Sequence, residues 1–79
     1  MKVPRDLSGL ELSNKLSVFG YSISRQTGSH IRLTTQLMGD HHITIPSHNP
    51  IKIGTLSSIL GDIASHFKIS KEELLKNIM

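Results

Sequence analysis

Residues 21–35 read YSISRQTGSHIRLTT, and this stretch decides the fold that we predict for the chain. Polar and apolar side chains alternate over residues 21–25, which is typical of a strand with one buried face. Residues 27–29 predict a hairpin connection, because Gly28 can adopt the positive φ that such a turn demands. In the second strand, residues 30–35, the apolar side chains again fall at every other position, so we expect one apolar and one polar face.

A third strand is predicted over residues 41–45, after a turn at Gly39. Ile43 and Ile45 alternate with polar side chains, and Pro46 is expected to end the strand because proline lacks the N–H that a further ladder rung needs. The side chains expected on the polar face of the sheet are Ser22, Ser24, Gln26, His30, Arg32, Thr34, His42 and Thr44.

Helices are predicted on both sides of these strands. The residues SGLE at 8–11 form a capping box for a helix that begins near Gly9, and Gly20 supplies a left-handed stop. Thr55 is expected to cap a second helix, and SKEE at 70–73 repeats the capping box before a short closing helix. Each element has only one apolar face. The order αβββα(α) therefore predicts an α+β fold with helices packed on one face of a three-stranded antiparallel sheet.

The length and composition limit the class of protein. A chain of 79 residues predicts a single domain over residues 1–79. The absence of cysteine excludes disulfides and thiol nucleophiles. No apolar run approaches the roughly 20 residues that span a bilayer, so we expect a soluble, cytoplasmic protein without a membrane partner. The net charge of +3 favours a polyanionic ligand, and the few aromatic rings favour contacts to phosphates over base stacking.

Five short motifs carry a resemblance to a known family. They are KVPRDLSG at 2–9, GY at 20–21, RQTGSH at 25–30, HHITIPSH at 41–48 and GTL at 54–56. Together and in this order they resemble the HicA (YcfA-like) toxins of toxin–antitoxin modules, and the order of elements resembles the double-stranded-RNA-binding fold. The resemblance implies an mRNA interferase that is neutralised by a HicB-type antitoxin. It also implies that His30, of the Gly-Ser-His motif, is the catalytic residue.

The residues around His30 suit that chemistry. RNA can be cleaved without a metal or another cofactor, because its 2′-hydroxyl can attack the adjacent phosphorus while protein groups accept one proton and donate another. An imidazole ordinarily titrates near neutral pH and suits either role. Arg32 is expected on the same strand face, where its forked donors bind a phosphate. The Ser29 hydroxyl and the amides of the Gly28-Ser29 turn are candidate donors to a non-bridging oxygen.

Further basic residues extend the predicted RNA site. Arg25 and Lys52 are candidate phosphate contacts, and His42 is a candidate second proton group within cross-strand reach of His30. His41 has the parity of the apolar positions, so we expect a half-buried structural histidine. Adjacent strand residues point to opposite faces, so His41, His42 and His48 are not expected to form a metal site.

Other functions fit the same residues. Histidines and arginines on a strand face are commonly solvent-exposed side chains without a function. One alternative is a non-catalytic RNA-binding module that holds structured RNA through phosphates and 2′-hydroxyls. Another is a protein-interaction domain. For the toxin hypothesis we expect the free protein to be monomeric, and we expect the antitoxin to cover the polar sheet face and to supply acidic groups to Arg25, Arg32 and Lys52.

Overall fold

A computed structural model describes residues 4–79, in which the elements follow the predicted order αβββαα. The elements are α1 (Gly9–Lys15), a 3₁₀ turn (Leu16–Phe19), β1 (Ser22–Gln26), β2 (His30–Thr35), β3 (His41–Pro46), α2 (Ile53–Phe67) and α3 (Lys71–Ile78). The strands form one antiparallel sheet in the order β1-β2-β3. The first two residues of the motif at 2–9 lie outside the described residues. No helix within residues 4–79 is long and apolar enough to cross a membrane.

The helix ends follow the predicted capping residues at α1 and α3. The Ser8 hydroxyl accepts a hydrogen bond from the Glu11 amide at 3.1 Å, and the Glu11 carboxylate accepts one from the Ser8 amide at 3.1 Å. These bonds hold the pKa of Glu11 below its usual range. Gly20, with φ of 81°, ends the 3₁₀ turn, and the Ser70 hydroxyl accepts from the Glu73 amide at 3.0 Å. Local sequence therefore specifies these ends.

The predicted start of α2 is wrong. The helix begins at Ile53, and its N-cap is Lys52, which makes no side-chain capping hydrogen bond. The Lys52 carbonyl already accepts from the Leu56 amide at 2.9 Å, so the first turn closes before Thr55. Backbone geometry decides this end, because no side chain satisfies the free amides.

The apolar residues of the sheet and the helices form one core on one side of the sheet. The sheet contributes Ile31, Leu33, Ile43 and Ile45, and the helices contribute Leu12, Leu16, Leu56, Leu60, Ile63, Ala64, Leu74, Leu75 and Ile78. Burying a side chain of this kind stabilises the fold by about 1.5–3 kcal/mol. The alternate residues of β2 and β3 lie on the opposite side, where they are exposed or half-buried, and we call this side the open face. This arrangement confirms the predicted α+β fold.

A β-bulge in β1 changes which side chains reach the open face. Ser24 is the extra residue, so that Arg25 pairs with Arg32, and Gln26 pairs with buried Ile31. The predicted position of Gln26 on the polar face is therefore wrong, because strict alternation fails at a bulge. Arg25 takes a place on the open face instead.

Pro46 forms the last rung of the sheet and does not end β3 before it. Its partner in β2 is His30. The next residue pair, Ser29 and Ser47, is joined by a hydrogen bond from the Ser47 amide to the Ser29 carbonyl at 3.0 Å. Hydrogen-bonded and non-hydrogen-bonded pairs alternate in an antiparallel ladder, so the His30–Pro46 pair needs no N–H from proline. β3 consequently runs one residue further than predicted.

Candidate functional site

His30 lies on the open face at the first position of β2, and its side chain is exposed. Its Nδ1 atom lies 3.1 Å from the Ser29 hydroxyl, which can donate to or accept from the ring. This contact orients the imidazole and leaves Nε2 as the ring nitrogen available to a substrate.

The turn before His30 is held by side chains and not by a left-handed glycine. The Thr27 amide donates to the His30 carbonyl at 2.9 Å, and the His30 amide donates to the Thr27 hydroxyl at 3.3 Å. Gly28 has no positive φ, so that expectation is wrong. The Ser47 hydroxyl donates to the Gly28 carbonyl at 3.0 Å and ties the turn to the chain after β3. His30 thus projects from a fixed backbone.

Two guanidinium groups stand next to this site. Arg32 is two residues from His30 on the same face, about 7 Å along the strand. Arg25 is opposite Arg32 in β1, and both side chains are exposed. No carboxylate in residues 4–79 lies within ion-pair distance of either arginine. The positive charge is therefore available to an anionic ligand.

His42 is also on the open face but is remote from His30. Its cross-strand partner is Thr34, whose hydroxyl lies 2.8 Å from His42 Nδ1. Thr34 is four residues from His30, which corresponds to about 13 Å along β2. The two histidines are therefore not cross-strand neighbours. The prediction that His42 lies within cross-strand reach of His30 is therefore wrong, and the register does not support His42 as its partner in proton transfer.

The sheet register places the loop that carries a different histidine beside the turn that precedes His30. Ser47 follows Pro46 and is hydrogen-bonded to both Gly28 and Ser29, and the exposed His48 comes next. The His48 carbonyl accepts from the Gly9 amide at 3.0 Å, which ties this loop to the start of α1. Sequence reasoning missed this proximity because it ended β3 before Pro46.

Lys52 does not lie on the open face. It is the exposed N-cap of α2, beyond the loop that follows β3. The structure thus brings Arg25, Gly28, Ser29, His30 and Arg32 to one end of the sheet, places His42 at the other end, and leaves Lys52 outside the sheet.

His41 belongs to a separate cluster on the helix side of the sheet. Its Nδ1 lies 2.6 Å from the Tyr21 hydroxyl, and its Nε2 lies 3.5 Å from Asp62 Oδ1. The His66 ring stacks on it with centroids 4.3 Å apart. Burial, together with the nearby Asp62 carboxylate, raises the pKa of Tyr21 to about 12. The prediction of a half-buried, hydrogen-bonded His41 is confirmed, whereas its Asp62 and His66 neighbours were not foreseen.

The imidazoles of adjacent His41 and His42 point to opposite sides of the sheet, as their contacts with Tyr21 and Thr34 show. Within residues 4–79, no three histidine or carboxylate side chains converge as a group that could hold a metal ion. His41 and His42 thus belong to different surfaces.

The fold and the open face define a class: a small α+β protein of the double-stranded-RNA-binding type, with a basic, polar sheet face. A family model described as HicA toxin of bacterial toxin-antitoxin matches residues 10–64. That match covers more than half of the chain. The chain therefore belongs to the HicA toxin family. No curated protein and no solved structure matches the chain. The protein is therefore the toxin of a toxin–antitoxin system, and membership implies a cognate antitoxin partner.

Proposed function

We propose that this toxin is an endoribonuclease that binds mRNA on the open face and cleaves it with His30. The observation that carries the proposal is the position of His30, exposed at the end of β2 with Nδ1 held 3.1 Å from the Ser29 hydroxyl. Arg32 follows on the same face, with Arg25 opposite it. A proton-transfer group beside two guanidinium groups that have no carboxylate partner within residues 4–79 suits a phosphodiester substrate.

The reaction needs no water in its first step. The 2′-oxygen of the substrate attacks the adjacent phosphorus, the P–O5′ bond breaks, and the products carry a 2′,3′-cyclic phosphate and a 5′-hydroxyl. One protein group takes the 2′-hydroxyl proton and another gives a proton to O5′, so protons balance. His30 supplies one of these transfers, while the Arg32 guanidinium stabilises the charge that develops on the non-bridging oxygens.

For the second proton transfer we favour His48 over His42. The pair His30 and Pro46 is a non-hydrogen-bonded one, in which Cα atoms are about 4.5 Å apart. His48 is two residues beyond Pro46, and two residues of extended chain add at most about 7 Å. The His30 and His48 backbones therefore lie within about 12 Å of each other by these spacings. Side chains from both can flank one phosphate.

The antitoxin that we propose is of the HicB type and acts by covering the open face. A folded partner there excludes RNA without altering His30. Its carboxylates pair with Arg25 and Arg32, which carry no acidic partner within residues 4–79. Charge reversal at these two arginines is expected to weaken the complex, and an unchanged affinity would place the interface elsewhere.

The test is cleavage of RNA by purified protein, with His30→Ala beside the unaltered chain. We expect the variant to lose cleavage and growth arrest while RNA binding is largely kept. Gln26→Ala is the matched control. Gln26 is an exposed residue of the same sheet, but it pairs with buried Ile31 and so does not belong to the open face. Mapping of new RNA 5′ ends identifies the cut sites. Cleavage that survives His30→Ala overturns the assignment of the catalyst, and binding without any cleavage favours a non-catalytic RNA-binding module.

A further inference from the structure

We infer that His42 and the groove beside it form a second nucleotide subsite, in which His42 Nε2 accepts a hydrogen bond from a ribose 2′-hydroxyl. This inference rests on the proposed RNA-binding function and adds to it the recognition of a nucleotide that is not cleaved. Two independent features carry it: a directed chain of hydrogen bonds across the three strands and a groove at the same end of the sheet.

The acceptor at one end of the hydrogen-bond chain favours one direction along it. It begins at the Arg32 carbonyl, which can only accept, and the Ser24 hydroxyl donates to it at 3.3 Å. Ser24 has a single proton, so its oxygen accepts from the Thr34 hydroxyl at 3.1 Å. The proton of Thr34 is then used as well. With the protons arranged in this way, His42 Nδ1, 2.8 Å from the Thr34 oxygen, is the donor of that contact.

This direction decides what His42 can bind. A neutral imidazole with its proton on Nδ1 has an unprotonated Nε2, which is an acceptor. The His42 side chain is exposed, so Nε2 faces a ligand group that can donate. A phosphate oxygen accepts only and does not suit this nitrogen. A ribose 2′-hydroxyl donates, occurs at every RNA nucleotide and distinguishes RNA from DNA.

A groove of about 430 Å³ adjoins this hydrogen-bond chain. Its lining residues are Gly20, Ser22, Thr34, Gln36 and Leu37. Thr34 lines the groove and also belongs to the hydrogen-bond chain that orients His42. Leu37 is half exposed and offers an apolar wall. Ser22 and Gln36 offer polar groups. The combination suits one nucleoside, with its sugar towards Thr34 and His42.

The subsite is separate from the cleavage site. Thr34 is four residues along β2 from His30, about 13 Å. The nucleotide at His42 is therefore not the one whose 2′-hydroxyl attacks the phosphorus. His42 is expected to act on substrate binding and register, and not on the chemical step.

The experiment uses the full chain with His30→Ala, so that RNA is bound and not cut. An RNA oligonucleotide that contains the mapped cut site is compared with copies in which one ribose at a time is 2′-deoxy. We expect one position away from the cut to lose affinity roughly twofold to tenfold when deoxygenated, as for the loss of one hydrogen bond. Adding the substitution His42→Ala should remove the difference in affinity between ribose and 2′-deoxyribose at that position. Adding Gln26→Ala instead should leave the difference unchanged.

Nitrogen NMR of the His42 ring provides a readout that needs no RNA. We expect a protonated Nδ1 and an unprotonated Nε2 in the neutral form, with the preference weakened by Ser24→Ala, which releases the Thr34 proton. A proton found on Nε2 overturns the inference, as does equal discrimination with and without His42. These outcomes are distinguishable from failure of the proposed function. If the cleavage proposal fails, the unaltered protein binds RNA but does not cut it. If the protein binds no RNA, the cleavage proposal and the His42 subsite are both refuted.

Discussion

Arg25 and Arg32 lie directly opposite each other across β1 and β2. Like charges in this position destabilise a sheet, and no carboxylate within residues 4–79 offsets them. The bulge at Ser24 creates the pair by moving Arg25 out of the regular alternation. A polyanion bound across the two guanidinium groups would relieve the repulsion, which makes this pair the expected electrostatic anchor of the open face.

Replacing either arginine by alanine is expected to weaken RNA binding and to reduce its salt dependence. Removing one guanidinium that binds a phosphate should lower the slope of log affinity against log salt by about one. The measurement is RNA affinity over a series of salt concentrations. Lys76→Ala, at an exposed cation of α3, is the control and should leave the slope nearly unchanged. If Arg32→Ala behaves as the control does, the pair is not the phosphate anchor.

His48→Ala is expected to reduce the turnover rate of RNA cleavage by about 10² or more, because proton transfer by a positioned side chain typically contributes this factor. His42→Ala should instead raise KM with a smaller effect on kcat. Steady-state kinetics on an RNA with one cut site separates the two effects. A His48→Ala protein with unaltered kcat would show that solvent or a substrate group completes the proton transfer.

Tyr21 gives a prediction for stability against pH. Its pKa is raised to about 12 by burial and by Asp62, whereas the unfolded chain has an ordinary tyrosine value near 10. The folded state therefore favours neutral Tyr21. The resulting contribution to the free energy of unfolding is complete below a pH of about 10 and is lost as the pH rises towards about 12.

Ultraviolet absorbance measures this directly, because Tyr21 is the only tyrosine and the chain lacks tryptophan. We expect tyrosinate to appear together with unfolding. Tyr21→Phe removes the titrating group and should weaken the loss of stability over this pH range. Ionisation at the ordinary value in the folded chain would contradict the buried contact with His41.

Two glycines provide a matched pair of stability tests. A Cβ at Gly9 would overlap the Pro46 carbonyl oxygen, which is backbone and cannot move freely. A Cβ at Gly61 would meet Lys71 Cε at 3.0 Å, and that is the flexible end of a side chain. Gly9→Ala is expected to destabilise the fold by about 1–3 kcal/mol, and Gly61→Ala to stabilise it by up to about 1 kcal/mol through helix propensity.

Denaturant unfolding of both variants checks the signs. Gly9→Ala should also slow RNA cleavage, since the Gly9 amide holds the loop that carries His48. A Gly9→Ala protein as stable as the unaltered chain would contradict the close packing of α1 on the end of β3. For Gly61, a loss of stability would show that the bond from Lys71 to Ser57 outweighs the gain in propensity.

Much of the site could be predicted because it depends on short sequence spacing. Residues 29 and 30 are adjacent, and Arg32 is two positions on, so a strand places all three together. Arg25, His42 and His48 were harder to place. Their positions depend on a bulge and on how far β3 extends, and neither has a reliable local signal.

The sequence by itself determined the order of helices and strands, the serine caps of α1 and α3 and the apolar faces of β2, β3 and the helices, since these follow from the chemistry of residues within a few positions of one another. Only the tertiary structure decided how far β3 extends beside His30, which arginine opposes Arg32 and which hydroxyl contacts His42. These depend on cross-strand register and on a hydrogen-bond chain through three strands. Such pairings join residues distant in sequence, and a shift of one residue changes every one of them.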